Sequence, residues 1–373
     1  MKILIDLTSL ADNFSGIERY AASLTTEMVK DNESSFILIF KDKIHPIFEE
    51  VQFQKNVRAI VLKRCNKLIF NQIKLPLMIN KYKADCYLFL AFPVPVLLFK
   101  KNMISTIHDL CCWDCPETMN GLSKWYFRIS HKVAVHKCKN IVTISKFSED
   151  RIVDKLIYNR NKLWLFYCGI DEKFLNYKKN DRKENVKMKY NLPERYILSL
   201  STLEPRKNLR LLVKAYRKLV LKNRVDMPLV LAGRKGWKMD ELLSDVEDNV
   251  KKNIIFTGFI DDEDLPAVYG GADLFVFPSK YEGFGIPPLE AMACGTPVLS
   301  SDAASLPEVL GDAAFYFENE NGKELCKQID KYMRIDEKAR QTIIEQGYDQ
   351  ARKFSWQEQA NKLMNYIKVN MEK

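Results

Sequence analysis

The sequence predicts an α/β protein of two doubly wound domains, each a parallel sheet wrapped by helices. Three observations carry this. Short apolar runs alternate with segments of helical spacing, first over residues 3–166 and again over 196–299; strand, helix, strand in series closes a parallel sheet. A chain of 373 residues exceeds one ordinary core. Between the two series, residues 171–190 lose apolar periodicity and gain charge, as a linker does. The boundaries expected are therefore 1–170, a linker at 171–190, a second domain at 191–354 and a last helix at 355–373.

In the first domain, Ile3–Ile5 and Phe36–Phe40 read as strands with a helix from Gly16 to Lys30 between them. Strands at 85–90, 103–107, 140–144 and 163–166 follow, with helices at 121–138 and 147–157. Ligands of such sheets bind beyond the carboxyl ends of strands. That rule selects the loops Ser9–Gly16, His108-Asp109 and Ser145-Lys146. Gly16 opens a helix, and Ser145 fits an N-cap.

The second domain opens with the strand Tyr196–Leu200. Ser201-Thr-Leu-Glu-Pro-Arg206-Lys207-Asn208 follows and leads into an amphipathic helix. Two adjacent cations at such a junction can neutralise a diphosphate, Arg bidentately and Lys as a point charge. Gly258-Phe-Ile-Asp261-Asp262 follows another strand. Asp261 could accept two hydrogen bonds from a guanine edge; equally, Asp261 or Asp262 could cap the next helix. The most informative stretch runs from Leu274 to Val298. Leu274–Phe277 is a strand that Pro278 ends, Gly283 and Gly285 make a bend, and Pro287 and Pro288 suit the first turn of a helix. Such a helix end favours a phosphate. Glu282 on the loop and Glu290, assigned to the first helical turn, are acceptors for paired hydroxyls. The competing reading is two solvated acids near a helix N-terminus.

Glu282 and Glu290, with seven residues between them in EGFGIPPLEAMACGTPV, resemble the paired-glutamate motif of the retaining GT-B glycosyltransferases of family four, the glycosyl transferases group 1 that include bacterial polysaccharide mannosyl- and rhamnosyltransferases. The likeness continues upstream through STLEPRKNLRLLVKAY, LVLAG and IIFTGFIDDEDLPAVYGGADLFVFPS, and is looser in the first half. It implies two Rossmann-like domains facing a central cleft and a last helix crossing back to the first domain. It implies transfer of a hexose from a nucleotide-diphosphate sugar, with GDP-mannose the first choice, to a hydroxyl of a lipid-linked or oligosaccharide acceptor in surface polysaccharide synthesis. In that reading Lys207, Arg206, Glu282 and His108 serve the transfer. Gly16, Asp261, Phe284, Gly285, Ile286 and Glu290 hold the nucleotide sugar, which is a substrate. No cofactor and no metal are expected.

Composition limits the alternatives. Hydrophobic residues make up 47%, as in soluble globular proteins. No apolar run reaches the ~18–20 residues of a spanning helix. Asp6 interrupts the first apolar run, so it reads as a strand rather than a signal peptide; a cytoplasmic protein is expected. Nine scattered cysteines suit a reducing compartment, and Cys111-Cys112-Trp-Asp-Cys115 lacks the second pair that a zinc site needs. Residues 51–150 hold 16 Lys and Arg against 6 Asp and Glu, whereas 201–373 hold 25 against 27. The basic excess thus lies in the first domain, mixed with apolar residues in Lys63–Leu75 and Lys124–Arg128. This suits peripheral contact with the anionic inner face of a cell membrane, or an ordinary solvated face. No motif supports nucleic acid as a partner. A non-catalytic partner subunit and a sugar-nucleotide epimerase are the alternative functions.

Overall fold

The computed structural model describes residues 1–11, 16–66, 69–178, 183–234 and 242–371. They form two compact units, residues 1–169 with 355–373, and residues 170–354.

The first unit holds seven strands: β1 (Lys2–Asp6), β2 (Ser35–Lys41), β3 (Val57–Leu62), β4 (Cys86–Phe89), β5 (Met103–Thr106), β6 (Asn140–Thr143) and β7 (Leu163–Leu165). Their order is β3-β2-β1-β4-β5-β6-β7, and every pairing is parallel. β1, β4, β5 and β6 are buried almost throughout, because helices cover both faces; such strands appear in sequence as unbroken apolar runs. β3 was not anticipated. It is an edge strand, half exposed and interrupted by Arg58, so it carries no such run. Helices α1 (Gly16–Met28), α2 (Gly121–Lys137) and α3 (Lys146–Leu156) connect the strands. Asn120 and Ser145 cap α2 and α3, each accepting from a backbone N–H three residues on. Asn13 and Ser15, in the loop expected at 9–16, lie outside the described residues, as do Lys67 and Leu68.

The helix Trp356–Met371 completes this unit. Trp356 packs edge-on against Tyr20 of α1, with ring centroids 5.9 Å apart, and Tyr366 meets Trp164 and Phe166. A Cβ on Gly169 would lie 2.2 Å from the Trp356 nitrogen, so the approach admits only glycine. Lys368 pairs with Asp31 and Glu33.

The second unit holds β8 (Ile197–Leu200), β9 (Leu229–Ala232), β10 (Ile254–Gly258), β11 (Leu274–Phe277), β12 (Val298–Ser301) and β13 (Phe315–Phe317). They run in the order β10-β9-β8-β11-β12-β13, all parallel. Helix α4 (Leu209–Leu221) buries Leu212, Val213, Tyr216 and Leu219 against this sheet, about 1.5–3 kcal/mol for each such side chain. Helices α5 (Leu265–Gly270) and α6 (Ile286–Ala293) flank β11 in sequence.

The stretch 171–190 is not an open linker. It contributes the helices Glu172–Leu175 and Lys183–Tyr190 to the second unit and buries Phe174 and Val186; residues 179–182 lie outside the described set. Its charges, which suggested solvent, hold ion pairs instead: Lys173 with Asp262 and Lys189 with Asp261 and Asp264.

Both sheets reverse direction of growth at one place. β1 lies between β2 and β4, and β8 between β9 and β11. In open parallel sheets of this kind, ligands bind beyond the carboxyl edge at such positions.

Candidate active site

At the switch point of the second unit, the loops after β8 and β11 meet. The 3₁₀ turn Pro205–Lys207 places Arg206 and Lys207 side by side, and Asn208, with φ +54°, turns the chain into α4. Lys207 Nζ lies 2.6 Å from Glu282 Oε1, and Arg206 Nη1 lies 3.2 Å from Glu282 Oε2. Arg206 also reaches Glu204 at 3.1 Å and the Tyr281 carbonyl at 2.9 Å. The side chains of Lys207 and Glu282 are only 11% and 9% exposed. Burial pushes the Glu282 carboxyl up, but the Lys207 and Arg206 charges outweigh it and leave it below its ordinary value. Burial also pulls the Lys207 ammonium down, with the Arg206 charge adding to the effect and Glu282 opposing it. The result is a tightly held acid–base cluster in which two cations share one buried carboxylate.

The loop carrying Glu282 is fixed from below. Ser305 Oγ donates to the carbonyls of Glu282 at 2.9 Å or Phe284 at 3.1 Å, and Ser301 Oγ donates to Ser279 at 2.6 Å. Gly285 has φ +100°, and a Cβ there would lie 2.6 Å from Leu306 Cδ2. Glycine is thus required both by conformation and by space. Ser305→Ala should lower the melting temperature by several degrees. One lost hydrogen bond with a carbonyl left unsatisfied costs about 1–2 kcal/mol, and each kcal/mol is worth about 2–4 °C in a unit this size; scanning calorimetry measures it.

Gly285 is the N-cap of α6, with no side-chain cap. Pro287 and Pro288 carry no N–H, so the amides offered at this end reduce to those of Gly285 and Ile286. The helix begins at Ile286, which moves Glu290 from the first turn to the second. There it is buried and accepts a 2.8 Å hydrogen bond from Tyr269 Oη on α5. Tyr269 was not singled out in the sequence; only the parallel alignment of α5 and α6 along the sheet reveals it, and the same holds for Ser305.

Asp261 stands apart from this cluster. Its carboxylate pairs with Lys189 at 2.7 Å, and the side-chain hydrogen bond from Lys189 holds it below the usual carboxylate range. Neither Asp261 nor Asp262 caps α5: the N-cap is Asp264, without a side-chain bond.

The first unit presents its own carboxyl edge. His108 is buried, with Nε2 2.9 Å from the Leu90 carbonyl and its ring edge-on to Tyr20 at 4.9 Å. A carbonyl only accepts, so Nε2 carries the proton. Burial pushes its pKa down to about 4, so the imidazole is neutral at pH 7. Asp6, at the end of β1, is also buried and accepts from the Thr8 amide at 3.0 Å; burial pushes its carboxyl up. Gly16 opens α1, and a Cβ there would meet nothing within 4 Å, so packing does not demand a glycine at this position. Cys111 and Cys112 are buried beside Thr118 and His131. Among the described residues, no three His, Cys, Asp or Glu side chains gather as a metal site.

Comparison with known proteins decides the family. The Glycosyltransferase Family 4 model matches residues 14–174, and the Glycosyl transferases group 1 model matches residues 178–350. The chain belongs to the group 1 glycosyltransferases. It is a glycosyltransferase of the GT-B fold, with the two parallel-sheet α/β domains described above. It is 29% identical to O-antigen chain mannosyltransferase B of Escherichia coli over 384 residues, covering 99% of this chain and 100% of that protein. It is 30% identical to O-antigen chain mannosyltransferase RfbU of Salmonella typhimurium over 230 residues, 62% of this chain and 60% of that one. Among solved structures, Anabaena Alr3699/HepE, in complex with UDP and glucose, superposes with a TM-score of 0.76 at 16% identity, over 99% of this chain and 100% of that one. No helix of the described residues is long and apolar enough to cross a membrane.

Proposed function

We propose that this glycosyltransferase moves a hexose from a nucleotide-diphosphate sugar to an acceptor hydroxyl in bacterial surface polysaccharide synthesis, with retention at the anomeric carbon. GDP-mannose is the first choice of donor, because the relatives named above are O-antigen mannosyltransferases. The observation that carries the reading is the Arg206–Lys207–Glu282 cluster at the switch point of the second sheet, formed between the turn leading into α4 and the loop leading into α6. In this reading the bond from the anomeric carbon to the β-phosphate oxygen breaks. The charge that grows on the diphosphate is met by Lys207, Arg206 and the amides of Gly285 and Ile286. The acceptor proton passes to the leaving phosphate oxygen on the same face, so no protein nucleophile is needed. No metal is assigned a step in this reading, in which Lys207 and Arg206 meet the charge of the diphosphate.

Glu290 holds the ribose hydroxyls, with Tyr269 fixing one carboxylate oxygen. Glu282 and the amides near Phe284 hold the hexose, and Glu282 must then exchange part of its pairing with Lys207 for sugar hydroxyls. Asp261 can read a guanine only by giving up Lys189. For His108 the reading asks for a neutral imidazole at a strand end, and its burial supports that. The enzyme works in the cytoplasm, peripherally at the inner face of the membrane, on a lipid-linked or oligosaccharide acceptor.

A thermal-shift panel of GDP, UDP, dTDP and ADP tests the donor, since a ligand that binds only the folded state raises its stability. Stabilisation by GDP alone supports GDP-mannose; stabilisation by UDP alone removes it. Glu290→Ala is expected to weaken binding of the stabilising nucleotide about tenfold to a hundredfold, the worth of one or two hydrogen bonds to a charged group. Unchanged affinity by calorimetry would argue against the ribose contact.

A further inference from the structure

We propose that the outward face of α4 is a binding site for a short polyphosphate chain, free or carried on a nucleoside, separate from the Arg206–Lys207–Glu282 cluster. Between α4 and the segment 242–246 lies a cavity of about 480 Å³, a size that holds small ligands. None of the residues lining it takes part in the donor reading above.

The cavity is walled by cations. Residues 209–225 contain six Lys or Arg and no Asp or Glu, although residues 201–373 together hold more acids than bases. One side of α4 is given to the core through Leu212, Val213, Tyr216 and Leu219, so the charges collect on the other. Arg210 is met by Asp245 at 3.0 Å, and Arg217 by Glu247; both pairs tie α4 to the segment facing it. Lys214, Lys218 and Lys222 also border the cavity and are exposed, and none of them forms an ion pair among the described residues. They recur every four residues, which places them on one helical face, and like charges at that spacing weaken a helix. A bound anion would reverse that cost.

Charge, length and floor define the occupant. At a rise of 1.5 Å per residue, Lys214 and Lys222 stand about 12 Å apart along the helix. A single carboxylate or phosphate reaches only part of such a row, whereas linked phosphates offer several charges to several ammonium groups at once. The facing segment sets an upper limit. Asp245, Glu247 and Asp248 have side chains 61%, 40% and 91% exposed, and these carboxylates repel a nucleic-acid strand or an acidic helix long enough to leave the cavity. The floor is apolar: Leu221 is 47% exposed, with Leu242 and Val246 buried. An uncharged group attached to the phosphates therefore has a surface to lie on.

The test is isothermal titration of the full chain with inorganic tripolyphosphate and, in parallel, with ATP, whose base is not the one proposed for the donor. One site is expected for tripolyphosphate, weakening as salt screens the lysines. Lys214→Ala/Lys218→Ala/Lys222→Ala should weaken it about tenfold or more, as hydrogen bonds from charged groups are lost. The three positions are exposed, so the melting temperature of this variant and its affinity for the nucleoside diphosphate that stabilises the wild type should be unchanged. Lys214→Arg/Lys218→Arg/Lys222→Arg should retain the site, and so should Lys207→Met, which alters only the other cluster. ATP binding more tightly than tripolyphosphate through the same lysines assigns a nucleoside polyphosphate; equal or weaker ATP binding assigns the free chain. Absence of tripolyphosphate binding, binding unchanged in the triple alanine variant, or binding lost in Lys207→Met overturns the proposal. So does lysine-dependent binding of a poly-uridine oligonucleotide or of polyglutamate tighter than that of tripolyphosphate, which would make this face a macromolecular surface.

Discussion

Lys207→Ala is expected to lower kcat by about 10²–10³-fold, the usual cost of removing one preorganised group that stabilises transition-state charge. The lysine is held at 2.6 Å from Glu282 and beneath the protein surface, so its charge acts where water screens it least. Nucleotide affinity should change far less than kcat, because the charge it meets grows only as the sugar–phosphate bond breaks. Lys207→Arg should not restore activity: the ammonium lies 5.3 Å from the Phe277 ring centroid, and a planar guanidinium cannot occupy that place as a point charge. Lys207→Met keeps the volume and serves as a folding control. Near-normal turnover of a nucleotide sugar by a folded Lys207→Met protein would remove this account of the leaving group.

Glu282→Gln should have the largest effect on stability, about 3 kcal/mol, since it leaves a buried lysine without its charge partner. It should also change the acid limb. The folded Glu282 carboxyl sits below its ordinary value, so its stabilising contribution is complete above the unfolded carboxyl value, roughly pH 4–5. That contribution is lost as pH falls through the lower, folded value. Melting temperature measured from pH 7 downward should therefore drop less steeply in the variant than in the wild type. Parallel curves would mean that Glu282 does not carry the pairing energy assigned to it.

What could be read in the chain follows from the physics of each element. Central strands such as Leu274–Phe277 were visible because burial on both faces leaves them uniformly apolar. The edge strand Val57–Leu62 has one wet side and left no such trace. Adjacent cations after a strand marked Arg206 and Lys207, and the glycine and prolines marked the bend before α6. Glu282 was also marked, but its pairing with both cations was not legible: it lies 75 residues beyond Lys207, and only the pairing of β8 with β11 brings the two loops together. The same distance in sequence hid Tyr269 behind Glu290 and Ser305 beneath the Glu282 loop. The charged stretch 171–190 misled because composition reports average polarity, whereas each of its two short helices buries an apolar side chain, Phe174 and Val186, and its lysines form ion pairs.

The helix Trp356–Met371 belongs to the first unit although all of residues 170–354 intervene. During synthesis, therefore, the unit begun first is finished second. The ribosome must deliver the whole of the later unit before Tyr20 and Gly169 receive Trp356. Until then the flank of α1 that this helix covers is open to water and to chaperones, and the middle of the chain matures ahead of its beginning.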